Sequence, residues 1–130
     1  MPKAILCVDD EPSILSALQQ QIMHAFNEDF ILEVAESGEE AIEIIQDLHR
    51  RNIQLAVLIT DEMMPAMKGH QLIDRVLSIA AGTPCILLTG YAQNEIVKQI
   101  ADSNLASCLS KPWDASELVN LVRSCLTSRN

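Results

Sequence analysis

Apolar residues in this chain fall into short, nearly continuous runs, separated by stretches in which apolar residues recur every three or four positions. Continuous runs predict strands that are buried on both faces, and the spaced stretches predict amphipathic helices. The predicted strands cover 3–8, 30–35, 55–60, 84–89 and 106–110. Because strands and helices alternate, the pattern predicts an α/β domain with one parallel sheet covered by helices on both faces.

The helical stretches start at residues that favour helix initiation. Pro12 suits a first helical turn. Ser37 and Glu40 form a capping box before the second predicted helix, and Asp114 opens a similar start before the fifth. The other predicted helices cover 12–27, 69–80 and 93–102.

Length and charge narrow the class of protein. A chain of 130 residues suits one domain, so residues 1–130 are predicted to form a single unit, with a longer parent chain left open. The net charge of −9 argues against direct nucleic-acid binding, because phosphates are met by Lys and Arg. No run approaches the roughly 20 apolar residues of a membrane span. With no export signal in its first residues, the chain is expected to be cytoplasmic.

Cysteine and histidine are not expected to form a metal site. No pair of cysteines has C-x-x-C spacing, and three of the four lie in strand-like runs, so they are predicted to be free thiols. The histidines are scattered over predicted helices and are interpreted as surface or hydrogen-bonded residues. These residues are Cys7, Cys85, Cys108 and Cys125, and His24, His49 and His70.

Polar residues follow four of the five predicted strands. Asp9 and Asp10 follow the first, Asp61 follows the third, Thr89 ends the fourth, and Lys111 follows the fifth. Right-handed crossovers bring the ends of parallel strands to one edge of the sheet. The sequence therefore predicts acid, hydroxyl and amine groups gathered at one edge.

Three carboxylates at that edge would repel one another unless a cation joined them. Mg²⁺ suits them because it takes oxygen ligands and keeps several waters. Asp61 could also attack phosphorus to form an acyl phosphate, with Mg²⁺ and Lys111 neutralising the phosphoryl oxygens and Thr89 hydrogen-bonding one of them. A simpler interpretation of the first acidic pair is a helix N-terminus that favours acids. That interpretation does not explain Asp61 and Lys111.

Four motifs together resemble the response-regulator receiver domains of two-component signalling over essentially the whole chain. They are Val8-Asp9-Asp10-Glu11, Asp61-Glu62-Met63-Met64-Pro65-Ala66-Met67-Lys68-Gly69, Leu88-Thr89-Gly90 and Ser110-Lys111-Pro112. The resemblance implies a flavodoxin-like, doubly wound (βα)5 fold with strand order 2-1-3-4-5.

The resemblance also assigns roles. Asp61 would be the phosphoacceptor. Asp10 and Asp61, with the backbone carbonyl of Met63, would hold Mg²⁺, or Mn²⁺ as an alternative, and Asp9 would support the metal through water. Thr89 would be the switch hydroxyl and Lys111 the partner of the phosphoryl group, with a cis peptide bond at Lys111-Pro112.

The chain departs from the family at Cys108, where a Tyr or Phe normally lies three residues before the lysine. Either Tyr91 takes over the switch role, or the switch works by loop movement alone. We expect loop movement, with Tyr91 partly covering the phosphoryl site. The segments around Thr89 and Lys111 also resemble receivers attached to cyclic-di-GMP phosphodiesterases of the HD-GYP type.

The expected function is a switch that catalyses only its own phosphorylation and dephosphorylation. Its partners would be a sensor histidine kinase or phosphotransfer protein, and an output domain, protein or second copy on the 93–126 face, with neither nucleic acid nor membrane. Candidate contacts there are Ile96, Val97 and Leu105.

An alternative is a Mg²⁺-dependent phosphohydrolase of the haloacid-dehalogenase type, but that family has an Asp-x-Asp pair after the first strand. A flavodoxin-like electron carrier is disfavoured because Asp9-Asp10-Glu11 would repel a phosphate.

Overall fold

The computed structural model describes residues 2–26, 29–90, 95–102 and 106–127. Strands and helices alternate along the whole described chain, as the apolar pattern predicts. In chain order they are β1 (Lys3–Val8), α1 (Pro12–Phe26), β2 (Ile31–Ala35), α2 (Gly38–Arg50), β3 (Gln54–Asp61), α3 (Gly69–Ile79), β4 (Cys85–Thr89), α4 (Glu95–Asp102), β5 (Ser107–Ser110) and α5 (Ala115–Thr127).

The strands form one parallel sheet in the order β2-β1-β3-β4-β5, which confirms the predicted fold class. Their register aligns the carboxyl ends. Val8 pairs with Thr60, Asp61 with Leu88, and Thr89 with Ser110. The polar residues that follow β1, β3, β4 and β5 therefore emerge side by side at one edge.

The two faces of the sheet are covered by different helices. Alternate strand residues such as Leu6, Leu58 and Leu87 pack with apolar side chains of α2 and α3, in what we call the α2–α3 face. Residues of the opposite parity, such as Ile5 and Ile86, pack with α1 and α5 in the α1–α5 face. Burial on both faces explains why these strands read as continuous apolar runs.

Local signals fix most of the element boundaries. Ser37 Oγ accepts a hydrogen bond from Glu40 N at 3.1 Å, as its position in the capping motif predicts. Asp114 Oδ1 accepts from Ser116 N at 2.8 Å and from Glu117 N at 3.3 Å, and α5 begins directly after it. These bonds satisfy amide groups that a helix start leaves without partners.

The strand limits differ from the prediction by one residue at five of the ten strand ends. The difference that matters concerns Asp61, which is the last residue of β3 and not the first residue after it. It belongs to the strand because its backbone pairs with Leu88 of β4. The strand backbone thus fixes the position of this carboxylate directly.

All four cysteines are free thiols, as predicted. Burial raises the pKa of Cys7 to about 12 and, with a contribution from Cys125, raises that of Cys85 to about 12. Among the residues described, no helix is long and apolar enough to cross a membrane.

Candidate functional site

Asp9 and Asp61 are carboxylates buried at the ends of adjacent strands. Asp9 has 0% of its surface exposed and Asp61 has 5%. Asp9 N donates to Ala35 O at 3.1 Å, which ties the end of β1 to β2. Asp9 Oδ1 accepts from Glu11 N at 2.9 Å, and this bond turns the chain towards α1. Burial at this depth demands partners for both carboxylates.

The structure brings the three predicted aspartates together. Asp9, Asp10 and Asp61 each offer one carboxylate oxygen, and these oxygens lie within 4.8 Å of one another. Asp10 is more exposed than the other two. Three hard oxygen donors this close, with one side open to solvent, suit a divalent cation that keeps part of its water shell.

Lys111, which directly follows β5, reaches the same cluster. Its Nζ lies 3.0 Å from Asp9 Oδ2 and 3.0 Å from Asp61 Oδ1. Lys111 N donates to Thr89 O at 2.9 Å, which anchors the lysine to the end of β4. The Lys111–Pro112 peptide bond is cis. One ammonium therefore bridges two of the three carboxylates.

The charges in this cluster do not balance. Burial raises the pKa of Asp61; the hydrogen bond from Lys111 opposes that rise, and the negative charge of Asp9 adds to it. Burial alone would lower the pKa of Lys111, but its hydrogen bonds to Asp61 and Asp9 outweigh burial and leave that pKa above the ordinary value. The surroundings therefore favour the charged form of Lys111 and disfavour the charged form of Asp61. This combination is expected of a site that needs more positive charge.

Thr89 and Met63 flank the carboxylates on neighbouring segments. Thr89 ends β4 with 1% of its surface exposed, and its register partner Ser110 directly precedes Lys111. Met63 lies two residues after Asp61, in the loop before α3, and 48% of its surface is exposed. All the residues that the sequence assigns to metal and phosphoryl chemistry therefore lie on the loops and strand ends of one edge.

A buried acid in the loop after β3 pairs with a half-buried histidine in the first turn of α3, and the sequence reasoning did not single out this pair. Glu62 is 3% exposed, and its Oε2 lies 2.6 Å from His70 Nδ1. The sequence predicts a surface or hydrogen-bonded histidine at position 70, and His70 is hydrogen-bonded. Glu62 was missed because an acid beside Asp61 reads as part of the acidic edge. Its partner lies eight residues further on, at a spacing with no sequence signature.

The predicted switch residues are only partly described. Cys108 packs against the α2–α3 face, and burial together with the charge of Glu62 raises the pKa of its thiol. Ile96 on α4 is 40% exposed. Tyr91 and Leu105 and the side chain of Val97 lie outside the described residues, so the roles given to them stay predictions.

Comparison with known proteins identifies the class. The family model for the response regulator receiver domain matches residues 5–123. A protein of Leptolyngbya boryana, described as an uncharacterized 14.6 kDa protein in the sodA1 3′ region, is 34% identical over 94% of this chain and 89% of its own length. Response regulator Rre1 of Synechocystis sp. is 32% identical over 96% of this chain, which spans 52% of that relative.

A solved structure agrees with these sequence relatives. The signal receiver domain of an HD domain-containing protein from Pseudomonas fluorescens Pf-5 superposes with a TM-score of 0.83 at 26% identity, covering 98% of this chain and 97% of that one. The chain belongs to the receiver domains of two-component response regulators. The family match does not favour the haloacid-dehalogenase alternative.

Proposed function

We propose that this domain is a phosphorylation switch that accepts a phosphoryl group on Asp61 with the help of Mg²⁺. The observation that carries the proposal is the bridge from Lys111 Nζ to Asp9 and Asp61, at 3.0 Å each, beside the open cluster of three carboxylates. A structural ion pair alone would need no third carboxylate and no route to solvent.

Asp10, Asp61 and the backbone carbonyl of Met63 would hold the metal, and Asp9 would support it through water. The donor set fits Mg²⁺ because every contributing atom is a hard oxygen, and Mn²⁺ accepts the same donors. When bound, the metal neutralises negative charge on the phosphoryl oxygens.

The protein side chains divide the remaining work. Asp61 supplies the attacking oxygen, since a carboxylate can displace a leaving group from phosphorus and form an acyl phosphate. The Lys111 ammonium sits within reach of the same carboxylate and would neutralise a second phosphoryl oxygen. Thr89, buried at the neighbouring strand end, would hydrogen-bond a third. The enzyme-like chemistry is limited to phosphorylation and dephosphorylation of the domain itself.

Receiver domains work between a phosphodonor and an output, and we extend both partners to this chain. A sensor histidine kinase or phosphotransfer protein would supply the phosphoryl group, and an output domain, partner protein or second copy would bind the 93–126 face. Ile96, exposed on α4, supports this choice of face. The likeness to the receiver of an HD domain-containing protein makes a domain of that kind our candidate output.

The switch in this chain would differ from that of relatives with an aromatic residue at position 108. Cys108 is a smaller side chain, packed against the α2–α3 face. Movement of the loop after β4, with Tyr91 partly covering the phosphoryl site, is our proposal for how phosphorylation is reported. Met63, exposed beside Asp61, would modulate access of water to the phosphoryl group.

Intact-protein mass spectrometry after incubation with acetyl phosphate and Mg²⁺ tests the proposal. The wild type should gain one phosphoryl group, and Asp61→Asn should gain none. The matched control is Asp47→Asn, which removes an exposed carboxylate on α2 that pairs with Arg50 and Arg51. Phosphorylation of Asp61→Asn to the wild-type level would exclude Asp61 as the acceptor.

A further inference from the structure

One residue, Glu62, makes hydrogen bonds that hold together the two ends of the loop between β3 and α3. Glu62 N donates to Leu88 O at 3.0 Å, which continues the pairing of β3 with β4 beyond Asp61. Glu62 O accepts from Gly69 N at 3.0 Å, at the start of α3. The backbone of Glu62 therefore holds both ends of the loop together.

The Glu62 side chain also connects the start of the loop to the start of α3. Its Oε1 accepts from His70 N at 2.8 Å, and its Oε2 lies 2.6 Å from His70 Nδ1. Both contacts fall in the first turn of α3, where backbone N–H groups lack helical partners and acids are favoured. Since Glu62 is 3% exposed, its carboxyl group depends on these contacts in place of water.

The loop closed in this way contains Met63. Met64 N donates to Glu62 O at 3.2 Å, which makes a tight turn centred on Met63. A turn of this kind fixes the backbone on both sides of its central residue. The orientation of the Met63 peptide is thus set by Glu62, which lies between Met63 and the strand that carries Asp61.

We propose that Glu62, held by His70, is a positioning residue of the cation site, and that it fixes the loop so that the Met63 carbonyl is preorganised as a ligand. This inference rests on the proposed function, because it assumes that the Met63 carbonyl binds Mg²⁺. Glu62 itself does not touch the metal. Residues that orient metal ligands without binding the metal commonly change metal affinity by 10- to 100-fold when they are removed.

A simpler explanation is that Glu62 and His70 form a partly buried polar pair that only stabilises the fold. The two explanations differ in their readout. A merely structural pair changes the free energy of unfolding, whereas a positioning residue also changes Mg²⁺ affinity in protein that remains folded. A third explanation, loss of negative charge near the site, predicts that any neutral replacement weakens Mg²⁺ binding equally.

The decisive experiment is a Mg²⁺ titration followed by the fluorescence of Trp113, which lies two residues after Lys111. Glu62→Ala should raise the Kd for Mg²⁺ by about tenfold. Glu62→Gln removes the charge but keeps an amide oxygen for His70 N, so its Kd should stay within about twofold of the wild type. Amide exchange of metal-free protein should accelerate at 62–70 in Glu62→Ala and stay unchanged in β1.

His70→Ala is the second variant, for the case in which Glu62→Ala does not fold. It removes the ring contact but leaves the backbone N–H that Oε1 accepts, so it should weaken Mg²⁺ binding less than Glu62→Ala does. An unchanged Kd in His70→Ala would then overturn the proposal.

The outcomes separate this proposal from the proposed function. A wild-type protein that does not bind Mg²⁺ overturns both. A wild type that binds Mg²⁺, with Glu62→Ala binding equally tightly, overturns the positioning role alone. Equal weakening in Glu62→Gln and Glu62→Ala assigns the effect to charge and also overturns it.

Discussion

The two faces of the sheet are both apolar in their interiors but differ at their margins. The α1–α5 face is a cluster of apolar side chains, and at its margin Trp113 Nε1 donates to Gln21 Oε1 at 2.7 Å. The α2–α3 face is equally apolar in its interior. At its carboxyl edge, however, it carries what we call the polar corner, which consists of Glu62, His70 and Cys108 and directly follows Asp61 in the chain.

This difference shows where a change at Asp61 can be transmitted. An apolar cluster resists small displacements because its side chains are closely packed. Hydrogen bonds and charges at the polar corner respond to a new charge at Asp61, because they are directional and lie in a medium of low dielectric constant. A phosphoryl group adds about −1.5 to −2 charges. We therefore expect its effect to spread first through the polar corner and only later through the α1–α5 face.

The largest expected effect comes from Gly69→Ala. Gly69 adjoins the polar corner, because its N–H donates to the backbone carbonyl of Glu62. A Cβ at Gly69 would overlap the backbone carbonyl oxygen of Asp61 and lie 2.8 Å from Leu87 Cδ1. Because a strand carbonyl cannot move aside as a flexible side chain can, the variant should lose about 3 kcal/mol of unfolding free energy. Urea denaturation measures this loss.

Gly90→Ala is the matched control for that variant, since a Cβ there meets none of the described residues within 4 Å. Its free energy of unfolding should lie within about 0.5 kcal/mol of the wild-type value. Similar losses in the two variants would show that Gly69 is not constrained by the strand end.

The sequence was enough to predict the sheet, because buried parallel strands leave continuous apolar runs that few other structures produce. It also predicted the residues at the edge, since the carboxyl ends of parallel strands must meet there. It placed Asp61 one residue outside its strand, because strand ends depend on pairing with β4 and not on local pattern.

The sequence could not predict the contact of Glu62 with His70. That contact depends on the path of the 62–69 loop, and the path is set by hydrogen bonds among residues far apart in sequence, such as Glu62 with Leu88. Loops have no regular pattern of apolar residues from which contacts between side chains could be predicted. A charged residue next to a strand end is therefore worth testing for burial before it is assigned to the surface.

Asp61→Asn is expected to stabilise the metal-free protein. Because the pKa of Asp61 is raised, the folded state binds its proton more tightly than the unfolded state does, and ionisation opposes folding. The wild type should therefore lose stability as pH rises from 3.8 through the raised pKa, with the full cost present at neutral pH. An asparagine cannot ionise, and Lys111 keeps its partner Asp9.

At neutral pH the gain should be about 1 kcal/mol of unfolding free energy, and it should vanish in acid, where both proteins are uncharged at position 61. Denaturation in buffer with a metal chelator measures it. Asp47→Asn, which removes an exposed carboxylate on α2, should give no gain. A metal-free Asp61→Asn less stable than the wild type would mean that the ion pair with Lys111 outweighs the burial of Asp61.

The last expected effect, of a size similar to that of Asp61→Asn, is on the α1–α5 face, at the hydrogen bond between Trp113 and Gln21. Gln21→Leu removes the acceptor that the indole N–H meets at 2.7 Å, and should cost about 1 kcal/mol because the partly buried donor is left without its partner. Gln20→Leu makes the same exchange at an exposed neighbour on α1, and should cost little. If the two faces differ as we infer, Gln21→Leu lowers stability while the Mg²⁺ Kd stays at the wild-type value. A weakened Mg²⁺ affinity in Gln21→Leu would show that the apolar face is coupled to the cation site as closely as the polar corner is, and the contrast between the faces would fail.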